Sequence, residues 1–370
     1  MSNKSRRKRV AAIISEYRFN SHAELIIGRL IGEFGYSPSI DVVSIYVDQI
    51  PRNDLSHYVS NSYHIPIHST IADALDVEDL DGVILICEHG NYPFNEKRQR
   101  MYPRRKFFEE IFQAFDFQGI TIPIFSDKHL AYDFQDTVWI YNELMRRNIP
   151  FFGGSSLPLI ATVPPIASAE MQELNEILVV SWLHPESYGF HAMEIMQSVA
   201  EHRCGGETGV EWVEAIEGEE VWSSLERKEW PDDLLQAALS ANPSTLGQHP
   251  RVYIPDPVLF IFQYKDGTRG YVVQLQEFVN QWSMAVRSKD QPIQSAMIDL
   301  DTWRPFGHFG VLTREIEALM LNHVSAVPHE RTFLTSAMVN LGMEALYQKQ
   351  RVSMSEVDLY FKHNYKGRLQ

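Results

Sequence analysis

Cysteine is almost missing from this chain of 370 residues: Cys87 and Cys204 are the only two. So few exclude a disulfide framework and a cysteine zinc site. Basic residues are also scarce. Lysine and arginine total 33 against 48 aspartates and glutamates, a formal charge of -15. Such a surface repels a phosphate backbone, so nucleic acid is excluded as the main ligand. No apolar run approaches the ~18 residues that suggest a membrane span, and no membrane partner is expected. Lys4, Arg6, Arg7, Lys8 and Arg9 precede only five apolar residues, Val10–Ile14, before Glu16 and Arg18 interrupt. A secretory signal needs an apolar stretch of ~7–15 residues. The segment therefore reads as a solvated basic tail leading into a buried strand, and the protein as cytoplasmic. What remains is ordinary globular composition, 44% hydrophobic and 22% charged, at a length that suggests two domains.

The first 155 residues alternate short apolar runs with amphipathic stretches. Val10–Ile14, Val42–Val47, Val83–Cys87 and Ile122–Phe125 read as strands buried on both faces. Helical stripes lie between them at 22–34, 104–115 and 133–147. This rhythm implies right-handed βαβ units and a parallel sheet. Ile149–Phe152 adds a strand, with Gly153-Gly154 as a turn. From 156 the rhythm changes. A Pro/Ala/Ser-rich connector is followed by strand-like runs at 177–182, 210–216, 258–264, 271–275, 282–287 and 296–300, with Lys265-Asp266-Gly267 as a hairpin turn. Few helices intervene before two long ones at 312–324 and 333–350. The expectation is a Rossmann-like domain over 1–155, then an α/β domain over 156–370 with an open, mainly antiparallel sheet. Gly205-Gly206-Glu207-Thr208-Gly209 lacks a P-loop lysine and leads into a strand, so it reads as a turn rather than a phosphate cradle.

The order of these segments resembles the glucose–fructose oxidoreductase and inositol dehydrogenase (Gfo/Idh/MocA) family over almost the whole chain. Ile122-Pro123-Ile124-Phe125-Ser126-Asp127-Lys128-His129-Leu130-Ala131 resembles that family's strand ending in Glu-Lys-Pro. Gly189-Phe190-His191-Ala192-Met193-Glu194-Ile195 resembles its Asp-x-Gly-x-His segment. Asn148 to Gly154, the pattern near Glu315 and the closing helix from Arg331 also match. The resemblance is to a divergent bacterial branch, because the glycine-rich turn after strand one is missing. Ser15-Glu16-Tyr17-Arg18-Phe19-Asn20 stands where G-x-G-x-x-G lets a pyrophosphate approach the backbone. Ser187 replaces the family's Asp, and His129 replaces its Pro.

The resemblance implies an oxidoreductase moving hydride between NAD and a hydroxyl or keto group of a sugar, polyol or related metabolite. Lys128 would polarise the substrate oxygen, and His191 would exchange the proton with Tyr188 beside it. The alternatives are a salt-bridged surface lysine, and a helix-start histidine with a core tyrosine. Asp48, at the end of the second strand, occupies the place of a ribose-binding acid, which favours NAD over NADP. Ser15, Glu88, His89 and Asp127 would border the cofactor. Tyr92, Arg104, Arg105 and His129 would border the substrate, although paired arginines on a helix also serve as surface ion pairs. Glu88, His89, Asp127, His129, His191 and Glu194 are ligands a divalent metal accepts, but no fixed-spacing motif appears and no metal is assigned. A lyase, isomerase or hydrolase using the same cleft without exchangeable NAD, possible with metal assistance, is the alternative, and a non-catalytic sensor on this scaffold is another. The resemblance also implies a homo-oligomer formed through the second sheet.

Overall fold

The computed structural model describes residues 6–245, 247–325, 327–357 and 359. Lys4 of the basic cluster lies outside the described residues. The chain divides into two compact units, the first made of Met1–Pro93, Arg100–Ser156 and Asp301–Phe333, the second of Phe94–Gln99, Leu157–Leu300 and Leu334–Gln370. The segment 301–333 therefore belongs with the first unit, beyond the single boundary read at 155/156.

In the first unit β1 (Lys8–Glu16), β2 (Ile40–Gln49), β3 (Ile67–His68), β4 (Gly82–Ile86), β5 (Ile124–Asp127) and β6 (Phe151–Gly154) form one sheet. Its order is β3-β2-β1-β4-β5-β6, and every pairing is parallel. Helices α1 (His22–Leu30), α2 (Ser56–Tyr63), α3 (Ile71–Leu75), α4 (Arg104–Gln118) and α5 (Phe134–Arg146) connect the strands. Val10 to Ile14 are wholly buried, as a parallel strand covered on both faces requires. Truncating one of the isoleucines to alanine would cost ~2–5 kcal/mol. The chain reverses direction across the sheet between β1 and β4, so ligand chemistry belongs at the carboxyl ends of those two strands.

Two expectations change here. Arg6 and Lys8 are not a loose solvated tail: both pair with Asp81, whose carboxylate also accepts the Arg9 N–H. Gly153 and Gly154 are not a turn but the end of β6, paired with Ser126 and Asp127. A Cβ on Gly153 would lie 2.7 Å from Phe151 and from Thr332, so close packing excludes any larger residue.

The second unit contains β7 (Thr162–Val163), β8 (Leu174–Ser181), α6 (Ser187–Ala200), β9 (Val210–Glu217), α7 (Glu219–Glu226), α8 (Asp232–Ser240), β10 (Val258–Tyr264), β11 (Arg269–Gln274), β12 (Ser283–Ser288) and β13 (Gln294–Ile298). Helix α9 (His308–Asn322) returns to the first unit and packs on α1. Helix α10 (His329–Gln348) leads back, and β14 (Val352–Ser353) closes the sheet in the order β14-β9-β10-β11-β8-β12-β13-β7. Among the described residues only β8 and β11 pair in parallel; the sheet is otherwise antiparallel. The turn at Lys265-Asp266-Gly267 is present, with Gly267 at φ +96°. Gly205, Gly206 and Gly209 also have positive φ, and buried Glu207 accepts the Gly209 N–H, so that stretch is a turn.

Helices α7 and α8 lie beyond the few helices expected. Trp222, Trp230, Leu234, Leu235, Ala238 and Leu239 from this region pack on Leu178, Val180, Leu259, Ile261, Tyr271, Val273 and Ala285 of the sheet. That sheet face is covered by the chain itself, and α6 packs on β8 and β11 as well.

Candidate functional site

Glu16 ends β1 and the chain reaches α1 within five residues. Ser21 caps α1, its Oγ accepting the Glu24 N–H at 3.1 Å. The Glu24 carboxylate turns back to accept the Asn20 N–H at 2.6 Å, close to the reciprocal arrangement of a capping box. Arg304 clamps the same carboxylate through two nitrogens at 2.8 and 3.0 Å. Glu16 pairs with Arg18 at 2.6 Å. The helix end that would otherwise attract an external anion thus holds a carboxylate of its own.

Across the reversal, the Ser15 Oγ donates to the His89 carbonyl at 2.6 Å, joining the loop after β4 to the end of β1. The same loop folds over the end of β2. The Asn91 N–H donates to the Gln49 side chain at 2.8 Å. The Tyr92 hydroxyl donates to Asp48 Oδ2 at 2.6 Å, and the Tyr46 hydroxyl to Asp48 Oδ1 at 2.9 Å. Burial and this bond push the Tyr92 hydroxyl well above its ordinary pKa, so it stays a donor. Both oxygens of Asp48 are engaged.

At the ends of β4 and β5 lies a cluster of opposite charges. Arg104, the first residue of α4, is completely buried. Its Nη2 donates to Glu88 Oε2 at 3.0 Å, and its Nη1 lies 3.2 Å from His129 Nε2. A guanidinium only donates, so His129 Nε2 is the acceptor and the ring is neutral. Desolvation, then the charges of Arg104 and Lys128, hold the His129 pKa well below the usual histidine range. Lys128 Nζ lies 3.5 Å from Glu88 Oε1. Lys128 has φ +72°, a left-handed conformation costing a non-glycine residue ~1–2 kcal/mol. Its N–H donates to the Gly154 carbonyl at 2.8 Å, which fixes that turn.

Asp127, 1% exposed, bonds through Oδ2 to His22 Nδ1 at 2.7 Å. Burial opposes its charge, but His22, Lys128 and Arg104 prevail and keep its pKa lowered. The His22 ring meets His89 and Phe309 edge-on, with centroids at 5.5 and 4.9 Å. Desolvation drives the His89 pKa down to about 3, and nearby His22, Arg18 and Lys128 add to it. His308, bonded to the Ser156 hydroxyl at 2.8 Å, is likewise held at about 3, chiefly by burial. Cys87, immediately after β4, is buried with its thiol raised to about 12, which makes it inert.

Ser15, Asp48, Glu88, His89, Tyr92, Arg104, Asp127, Lys128 and His129 are therefore gathered at the carboxyl ends of β1, β2, β4 and β5. Arg105 is not among them. It pairs with Glu109 and Asp136 and stacks 3.5 Å over Trp139 on α4 and α5, because one helical step turns it from the cluster toward the neighbouring helix. Tyr188 and His191 belong to the second unit. There Tyr188 stacks on Trp282 with ring centroids 5.7 Å apart, His191 meets Trp282 edge-on at 5.5 Å, and His191 Nδ1 lies 3.7 Å from Glu194. Nearby Gln274 is 2% exposed with neither amide atom bonded. Among the described residues, no group of three or more His, Cys, Asp or Glu side chains is placed to hold a metal, and no helix is long and apolar enough to cross a membrane.

His22, Glu24, Arg304 and Gln274 were missed in the sequence. The first two carried a signal, Ser21-x-x-Glu24 directly after a strand; the others carried none.

No protein-family model and no curated sequence matches the chain. Solved structures do match along nearly its full length. GenD2 from gentamicin A biosynthesis, solved with NAD, has a TM-score of 0.60 at 12% identity, over 94% of this chain and 97% of its own. A myo-inositol 2-dehydrogenase from Lactobacillus plantarum has 0.59 at 10% identity, over 94% and 99%. The WlbA dehydrogenase from Chromobacterium violaceum, solved with NADH and UDP-GlcNAcA, has 0.59 at 12%, over 95% and 97%. The chain has the fold of these Gfo/Idh/MocA-type dehydrogenases.

The residues present do not fit an extended dinucleotide as they stand. Its pyrophosphate would meet Glu24 and Glu16 rather than bare backbone N–H groups, and its ribose would compete with two tyrosines for Asp48.

Proposed function

We propose that the chain is an oxidoreductase-type enzyme acting at a hydroxyl or keto carbon of a sugar, polyol or related metabolite. The observation that carries this reading is the buried Glu88–Arg104–Lys128–His129 cluster at the carboxyl ends of β4 and β5. Buried charges are costly, and at the ligand-binding end of such a sheet they serve to hold and polarise a polar substrate. Lys128 would polarise the reacting oxygen, and Glu88, itself held by Arg104, would keep its ammonium in place. The dehydrogenases that share the fold support oxidation or reduction as the reaction class, and NAD is the cofactor they suggest.

The filled groove favours a second reading, proton chemistry of the lyase or isomerase kind in the same cleft, without exchangeable NAD. Titrating the purified chain with NADH and NADPH, following nicotinamide fluorescence, separates the two. Under the oxidoreductase reading NADH binds saturably and more tightly than NADPH. Tyr92→Phe, which releases one oxygen of Asp48, then tightens NADH several-fold. Absence of binding at millimolar nucleotide in both proteins overturns the dehydrogenase reading and leaves the second.

A further inference from the structure

We propose that His22 and Asp127 form a proton-transfer pair in which His22 Nε2 accepts the proton of a substrate hydroxyl. The proposal deepens the functional reading above, since it rests on a hydroxyl-bearing substrate in this cleft, but it serves both the oxidoreductase and the cofactor-free form.

The geometry comes from three adjacent strands. Asp127 is the last residue of β5, and His22 begins the helix fed by β1, with β4 between the two strands. The pair thus bridges the end of β4 at the crevice where such sheets bind ligands. An ionised carboxylate only accepts hydrogen bonds, so the 2.7 Å contact places the proton on His22 Nδ1. In the neutral ring that fixes the Nδ1–H tautomer and leaves Nε2 with its lone pair. No hydrogen bond to Nε2 is made by any described residue. The edges of His89 and Phe309 hold the ring in plane, while the side chain keeps 18% exposure, enough for a small molecule to reach it.

Two buried atoms beside the pair are also unpartnered, Asp127 Oδ1 and His89 Nε2. Unmet polar atoms in a buried site cost stability and mark a place where a hydroxyl-rich ligand supplies the missing partners. In the step itself the substrate O–H bond breaks heterolytically, its proton goes to Nε2, and the electron pair stays on oxygen. The imidazolium formed is stabilised by Asp127, the orienting role a carboxylate plays beside a catalytic histidine. Nothing is oxidised, and the reverse transfer restores both partners.

Two measurements on the full chain test this without substrate or cofactor. Nitrogen-15 NMR of labelled histidines should show His22 as the Nδ1–H tautomer. Diethyl pyrocarbonate should acylate His22 at least as fast as the exposed His57 and His64, and Asp127→Asn should slow His22 roughly tenfold or more while leaving the other two unchanged. An Nε2–H tautomer in the wild-type protein, or a His22 rate unaffected by Asp127→Asn, overturns the proposal. The NMR arm needs no variant, so a misfolded Asp127→Asn protein does not block it. Because neither arm contains a nucleotide, their failure is distinct from failure to bind NADH.

Discussion

Replacing Glu88 with glutamine perturbs the cluster at the carboxylate that meets both Arg104 and Lys128. Glu88 is 8% exposed and faces Arg104 Nη2 at 3.0 Å and Lys128 Nζ at 3.5 Å. At an effective dielectric near 20, each contact has a gross attraction of about 5 kcal/mol. Desolvation of the three ions offsets most of that, and removing one member of a buried pair costs ~3–5 kcal/mol. Glutamine still offers Arg104 an acceptor, which puts Glu88→Gln at the lower end, about 3 kcal/mol. For a unit of this size such a loss lowers the melting temperature by about 6–12 °C. Calorimetry measures that shift directly. The double variant Glu88→Leu, Arg104→Met removes opposite charges together and should cost less than the sum of Glu88→Leu and Arg104→Met alone, the difference being the coupling energy. A Glu88→Gln protein within ~0.5 kcal/mol of wild type would refute the view that the cluster is a buried, mutually compensating set.

Stability should fall in mild acid. His89 and His308 are held at about 3 in the fold against ~6.5 when unfolded, so these two rings alone give the unfolded chain two more protons between those values, and His129, also held low, adds to them. Their contribution is complete above pH ~6.5 and is lost as pH falls toward 3, with a limiting slope of about 2.7 kcal/mol per pH unit; urea midpoints that stay level from pH 7 to 5 would contradict it. Gln274→Met removes a buried amide with neither atom bonded, so it should stabilise the second unit by ~1 kcal/mol in thermal unfolding; a loss would mean that the amide is paired in solution. Arg105→Ala should change stability by less than ~1 kcal/mol and leave NADH titration unchanged, since its ion pairs are half-exposed on α4 and α5; a large effect on binding would return Arg105 to the site.

The strands of the first unit were legible because a parallel sheet covered on both faces writes itself as unbroken apolar runs such as Val83–Cys87. The hairpin at Lys265–Gly267 was legible from turn chemistry. Helices α7 and α8 were overlooked although Val221, Trp222 and Leu225, then Leu234, Leu235, Ala238 and Leu239, carry helical spacing; the strand-rich surroundings masked it. The two residues of β3 are too short for any periodic signal. The cluster was partly visible, since polar residues immediately after a buried strand mark its carboxyl end. Which of them meet was not. Arg104 joins Glu88 and Arg105 does not, although they are neighbours, because the helical rotation separates them by about 100°. The return of 301–333 to the first unit left no trace in composition, so neither the Arg304 clamp nor the Phe309 contact with His22 was readable.

Three separate segments crowd the carboxyl ends of β1 and β2. Residues 16–24 lack glycine and place Glu24 at the helix end; Arg304, some 280 residues on, neutralises it; Tyr92 covers Asp48 from the loop after β4. Any one of these alone would be a local variation. Agreement among distant segments is what a consistently specified structure displays. Yet the same loop that covers Asp48 also carries Glu88 and His89 into the charged cluster, so groove and cluster are built by one piece of chain. If the scaffold had only its fold to maintain, apolar side chains would fill the end of β4 and β5 at lower cost than Glu88, Arg104, Asp127, Lys128 and His129. Desolvated charge retained at these strand ends is therefore the feature on which the proposed chemistry rests.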